Sequence, residues 1–165
     1  MKIRSETPAD AAAISSVITA AFLLAEHSDG NEARIVEALR EAGSLTVSLV
    51  ATEGDRIVGH VAFSPVTIDG RSDGWLGLGP VAVVPDRQRH GIGSALIEAG
   101  LAQLRIQGSR GCVVLGEPGY YRRFGFAADP EFRLAGVPPE YFQRLIFQGP
   151  CDGGLVEYHH AFEIG

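Results

Sequence analysis

The residue types best placed to do chemistry in this 165-residue chain sit in one short run, Gln88-Arg89-His90-Gly91-Ile92-Gly93-Ser94. Before it lies an apolar stretch at 76–84, rich in Val and Leu and closed by Pro85 and Asp86, which reads as a β-strand. After it, apolar residues at Ile92, Leu96, Ala99 and Leu104 alternate with a polar stripe at Ser94, Glu98 and Arg105, the pattern of an amphipathic helix. The run is therefore expected to form the first turn of that helix. The opening N–H groups of a helix have no partner inside it, and the helix dipole makes that end partly positive. Two glycines there remove the Cβ atoms that would hold a phosphate away from the amides, so the turn reads as a pyrophosphate cradle. Two other phosphate loops are excluded. A dinucleotide fingerprint needs a third small residue three positions beyond Gly93, where Leu96 stands, and the Gly-Lys-Ser/Thr of a P-loop is absent.

What remains, Gln-x-x-Gly-x-Gly between a strand and a helix, resembles the acetyl-CoA signature of the GNAT superfamily of N-acetyltransferases. Downstream, Tyr121-Arg122-Arg123-Phe124-Gly125-Phe126 resembles the same family's Tyr-x-x-x-Gly-Phe stretch. The two motifs stand in the family's order, and the resemblance, strongest over 76–126, extends over nearly the whole chain. It implies acetyl-CoA as co-substrate and a primary amine as acceptor, a small molecule or a peptide. It further implies cofactor contacts at Gln88, Arg89, His90, Gly91, Ile92, Gly93 and Ser94. The backbone of Val81, Ala82 and Val83 is implied to hold the pantetheine arm, with one amide polarising the thioester carbonyl.

Acetyl transfer from a thioester also needs a proton donor for the departing thiolate and a route for the amine's proton. Tyr121 matches the family's tyrosine by its spacing to Gly125-Phe126, and a phenol with a pKa of about 10 is protonated at neutral pH. Tyr120 competes for that role. Glu117, just past a strand end, is the candidate base; Glu26, Glu32 and His60 are further options, and water-mediated deprotonation is common in similar proteins. An acyl-CoA-binding sensor or partner module without transfer activity is the alternative function. A homodimer is an assembly common among similar proteins.

The elements that must position these groups follow from the rest of the chain. A short strand at 1–6 leads to Thr7-Pro8-Ala9-Asp10, a helix start with Thr7 as cap, Pro8 in the first turn and Asp10 against the dipole. The helix runs to about Leu24 with Ile14, Val17, Ile18, Ala21 and Phe22 inward, and a second covers 31–42. The hinge at 25–31, with Glu26 and His27, corresponds to a region that contributes to the acceptor pocket in the resembling family. Alternation at Leu45, Val47, Leu49 and Ala51, then Ile57, Val61 and Phe63 after a turn, predicts a hairpin. In the fourth strand the apolar parity is even at Leu76 and Leu78 but odd at Val81 and Val83, which predicts a β-bulge at Gly79-Pro80. A helix between that strand and the apolar run 112–116 indicates a parallel pair. A short helix carries Tyr120 and Tyr121. The segment 129–153, with Pro130, Pro138, Pro139 and Pro150, reads as irregular, and 155–164 as a closing strand. The expected fold is α+β, a mixed, mostly antiparallel central sheet flanked by helices. By resemblance, its bulged fourth strand is splayed from the fifth.

Composition narrows the class further. At 45 % hydrophobic residues the chain suits a single domain over 1–165 with a substantial core. A formal net charge of −6 argues against a nucleic-acid partner. No apolar run is long enough for a bilayer span, and from the polar N-terminus neither a signal peptide nor a membrane partner is expected. Cys112 and Cys151 lack the spacing of a disulfide framework or zinc site, so the expected setting is reducing and cytoplasmic. His159 and His160 on a strand would face opposite ways, and no catalytic metal is expected.

Overall fold

The computed structural model describes residues 1–25 and 28–163. Strand β1 (Lys2–Ser5) leads into a capped turn and helix α1 (Ala11–Phe22), followed by α2 (Glu32–Glu41). The helix start forms as its residues predict. The Asp10 carboxylate accepts the Thr7 N–H at 2.7 Å and a two-point contact from Arg4 at 2.7 and 3.2 Å. The Arg4 and Thr7 bonds hold its pKa well below the usual carboxylate range. The hairpin is β2 (Val47–Glu53) and β3 (Arg56–Pro65), and a two-residue strand β4 (Thr67–Ile68) precedes β5 (Trp75–Val83). Helix α3 (Ile92–Ile106), β6 (Gly111–Leu115) and short α4 (Pro118–Tyr121) come next. The chain ends through β7 (Ala127–Ala128), β8 (Phe132–Arg133), β9 (Phe142–Ile146) and β10 (Gly154–Glu157).

The main sheet has the order β1-β2-β3-β5-β6-β9-β7, antiparallel except for β5 and β6. Sequence parity locates the bulge correctly. Val61 pairs with Val81, but two residues on, Phe63 pairs with Leu78, so β5 carries one extra residue across 79–80. Strands β5 and β6 pair only over Trp75–Gly77 and Gly111–Val113, then part. This fork is the feature that positions the site.

One apolar core, including Ile14, Ile18, Leu49, Val61, Phe63, Leu96 and Leu104, joins α1, α2 and α3 to the sheet. Odd-numbered β3 residues meet α3: a Cβ at Gly59 would lie 2.9 Å from the Leu96 side chain, and Phe63 fills the space beside Gly100. A second cluster of Val66, Trp75, Val113, Phe132, Phe142 and Val156 underlies a small sheet of order β4-β10-β8.

The expected closing strand over 155–164 is corrected here. Strand β10 covers only Gly154–Glu157 and belongs to the small sheet, and the chain then turns into a 3-10 helix (His160–Glu163). His159 and His160 consequently stack, ring centroids 4.1 Å apart, instead of facing opposite sides of a strand. Ile164 lies outside the described residues. The segment 129–153 is not wholly irregular, since β9 within it pairs with β6 along five residues. Gln143 and Arg144 interrupt its apolar alternation, and the neighbouring prolines obscure it further.

Candidate functional site

At the end of β5, Pro85–Arg87 makes one 3-10 turn and the chain enters α3 through Gly91. Arg89 (φ 66) and Gly91 (φ 79) both take the left-handed conformation. That conformation is uncommon for a residue with a Cβ, and such outliers concentrate at functional sites. The N–H groups of Arg89, His90, Gly91, Ile92, Gly93 and Ser94 have no acceptor among the described residues. Gln88, Arg89, His90 and Gly91 are exposed, so the amides open to solvent at the positive end of a four-turn helix. Gly93 is informative because the fold does not require it. A Cβ there would meet nothing closer than 3.8 Å, in the direction of Tyr120 and Val83. The position would accept a methyl group without a clash, so packing does not explain the glycine, whereas close approach of a ligand to the amides would.

The second part of the site is the free edge of β5. The Val84 N–H donates to Val58 O at 2.9 Å, toward β3. Backbone groups alternate sides along a strand, so those of Val81 and Val83 point the other way, into the fork. The Gln88 side-chain amide donates to Val83 O at 3.0 Å, which ties the signature turn to this edge. The Ala82 backbone faces β3 and is engaged in the sheet.

The two adjacent tyrosines part company in the structure. The Tyr120 hydroxyl pairs with Ser94 Oγ at 3.0 Å, and the Arg123 guanidinium lies 4.4 Å from its ring. Tyr121 packs its ring on Gly116 and edge-on to Phe126, and its hydroxyl has no partner among the described residues. Burial, with smaller contributions from Tyr120 and Cys112, pushes its pKa up to about 12. It therefore holds its proton throughout the neutral range.

Among the candidate bases, Glu117 is exposed at the β6–α4 junction, where its carbonyl accepts the N–H groups of Tyr120 and Tyr121. Glu32 accepts a hydrogen bond from Ser28 Oγ at 2.7 Å. Glu26 and His27 lie outside the described residues. His60 is fully buried on β3. Ser48 Oγ gives its single proton to Glu6 Oε1, so the 2.7 Å contact between Ser48 Oγ and His60 Nε2 makes the histidine the donor there. Burial lowers the His60 pKa to about 4, which leaves a neutral ring with an unprotonated Nδ1. Burial alone would raise the Glu6 pKa, but hydrogen bonds from Arg40 and Ser48 outweigh it and hold the carboxyl ionised. Among the described residues no cluster of His, Cys, Asp and Glu could hold a metal ion, and no helix is long and apolar enough to cross a membrane.

Comparison with known proteins places this geometry. The model of the acetyltransferase (GNAT) domain matches residues 44–128. The chain is 37% identical to the uncharacterized N-acetyltransferase YhbS of Escherichia coli K12, covering 98% of each protein. It superposes with a TM-score of 0.88 on a GNAT family acetyltransferase from Brucella melitensis crystallised with acetyl-CoA, at 53% identity over 98% of this chain and 97% of that one. The crystal structure of E. coli YhbS with CoA superposes with a TM-score of 0.91, at 35% identity over 99% and 92% of the two chains.

Proposed function

The chain belongs to the GNAT family of acetyl-CoA-dependent N-acetyltransferases, and from that premise we propose that it acetylates a primary amine by direct attack in a ternary complex, with Tyr121 as general acid. Residues 1–165 act as one acetyltransferase domain. The amides of Arg89 through Ser94 anchor the pyrophosphate, with Gln88 bracing the turn against Val83. Hydrogen bonds to a charged group contribute about 1.5–3 kcal/mol each, so several together offset the cost of ordering a flexible ligand. The free edge of Val81 to Val83 extends the pantetheine arm as an added strand, with Ala82 holding that edge to β3.

When bound, acetyl-CoA supplies a thioester whose carbonyl carbon accepts the amine's lone pair. A free β5 amide stabilises the charge that develops on the carbonyl oxygen. Tyr121 gives its proton to sulfur as the C–S bond breaks, and Glu117 takes the surplus proton from nitrogen as the C–N bond forms. The products are the acetamide and CoA thiol. Tyr121 regains its proton from solvent and Glu117 returns its own.

The observation that carries this reading is the contrast between the tyrosines: Tyr120 is tied to Ser94, while Tyr121 is protonated and unpartnered. Calorimetric titration with acetyl-CoA, combined with CoA release across a panel of primary amines, tests it. Saturable binding with amine-dependent CoA release supports transfer. Binding with no release against any amine points instead to an acyl-CoA sensor, and no binding by folded protein overturns both.

A further inference from the structure

Four buried side-chain polar atoms have no hydrogen-bond partner among the described residues: His60 Nδ1, Ser64 Oγ, Arg110 Nε and Tyr158 Oη. A buried group left unsatisfied costs about 1–3 kcal/mol, so clustering of such groups asks for an explanation. Two of them converge on one residue. Ser64 stands directly opposite Gly77 in the β3–β5 register, so its side chain leaves the sheet on the face where a Gly77 side chain would project. That space is taken by Tyr158. A Cβ at Gly77 would lie 2.9 Å from Tyr158 Cε2 and 3.3 Å from Cζ, which brings the hydroxyl end of the ring over the glycine. Phe162 supports the same ring edge-on at 5.1 Å. His60 has the same parity on β3 as Ser64 and extends this polar row.

Gly77 is also the last β5 residue paired to β6, so the Tyr158 ring over it lies at the rung where the strands part, with Ser64 on the adjoining strand. Burial raises the Tyr158 pKa, and Cys112 and Tyr121 are near enough for each to push it further up. The proposed general acid and the unpartnered phenol are thus electrostatic neighbours. Ser64 is fully buried and the Tyr158 oxygen is shielded from bulk water.

We propose that the Ser64 and Tyr158 hydroxyls form the subsite that receives the acceptor's nitrogen, accepting its N–H bonds while its lone pair faces the acetyl carbonyl. The proposal rests on the transferase reading above. A neutral primary amine offers one lone pair and two N–H donors, and each hydroxyl oxygen has acceptor capacity to spare. A buried subsite of neutral hydroxyls disfavours the ammonium form and admits the nucleophilic one. A secondary amine leaves one oxygen unpartnered, so the site selects primary amines.

The test uses CoA whose sulfur carries –CH2–C(O)–NH–propyl, which fixes an N–H beside the acetyl position, and its N-methyl counterpart, which lacks that N–H. Calorimetry compares both with acetyl-CoA on wild type, Tyr158→Phe, Ser64→Ala and the double variant. Wild type is expected to bind the N–H conjugate at least 10-fold more tightly than acetyl-CoA, and the N-methyl conjugate without that gain. The double variant loses the gain, keeps its acetyl-CoA affinity and melts no lower than wild type, because only unpartnered oxygens have been removed. If the double variant does not fold, the single variants provide the same reading. A gain retained in the variants, or absent in wild type that binds acetyl-CoA, overturns the subsite alone. Wild type that binds none of the three ligands overturns the transferase reading beneath it.

Discussion

On the α3 side of the fork the groups we propose to meet the cofactor are main-chain amides, whereas on the opposite side those proposed to meet the acceptor are side-chain atoms from β3 and the C-terminal segment. Arg89, His90 and Gly91 at the mouth of the turn are exposed, and their unpaired amides cost little to leave open, because water serves them until a phosphate arrives. Ser64, His60 and Tyr158 are shut away from water with polar atoms unpaired. The first arrangement suits a large, flexible, charged ligand that must bind and leave. The second suits a small neutral group held at the moment of reaction. Binding and chemistry are thereby assigned to different materials, so variants on the two sides should separate affinity from turnover.

The largest separation is expected at Tyr121. Tyr121→Phe should lower kcat about 100-fold or more, the usual worth of a general acid, with acetyl-CoA affinity unchanged. Steady-state kinetics beside calorimetry checks this, and equal turnover would remove Tyr121 from the mechanism. Gly91→Asp is the mirror case. Nothing lies within 4 Å of the added Cβ, so the carboxylate enters open space beside the amides. It should weaken acetyl-CoA binding about 10- to 100-fold, the worth of roughly one charge-assisted hydrogen bond, while kcat at saturation changes little.

A smaller effect distinguishes the buried side by pH. His60 is neutral when folded, with a pKa lowered from 6.5 to about 4, so the unfolded chain binds more protons in between. Stability is complete above about pH 6.5 and declines as the pH falls toward 4. Loss of the ionised Glu6 acts in the same direction at the acid end. Thermal melts across this range should show the decline, and His60→Gln should flatten the part that titrates above the carboxylates. The smallest effect is expected at Gly93. Gly93→Ala should raise stability by about 0.5–1 kcal/mol, since glycine is a poor helix former and the methyl group meets no atom closely. The same methyl group should weaken acetyl-CoA binding a few-fold; a gain in both would show that the vacant space is not used.

The family, the fold class and the strand–turn–helix that carries the proposed cofactor side were legible in the residues because they depend on neighbours in sequence. Strand 76–84, the turn at 88–94 and helix α3 form one continuous stretch, and main-chain donors present themselves wherever the helix begins. The bulge was legible for the same reason, since an extra residue shifts parity from Leu78 to Val81 regardless of what packs around it. The tyrosine motif limited the proposed general acid to two adjacent residues. Only packing separated them, by tying Tyr120 to Ser94 and leaving Tyr121 free.

The opposite side was decided by tertiary structure. Ser64 and Tyr158 are 94 positions apart, and nothing in the pattern of either segment points to the other. A strand reading of 155–164 placed Tyr158 on a sheet. In the fold, β10 stops at Glu157 and the ring fills the space left by Gly77. The physical reason is general: periodicity records which face of an element is apolar, whereas a site made of side chains depends on which elements meet. Here the meeting point is a glycine with no side chain, at the last rung before two strands separate.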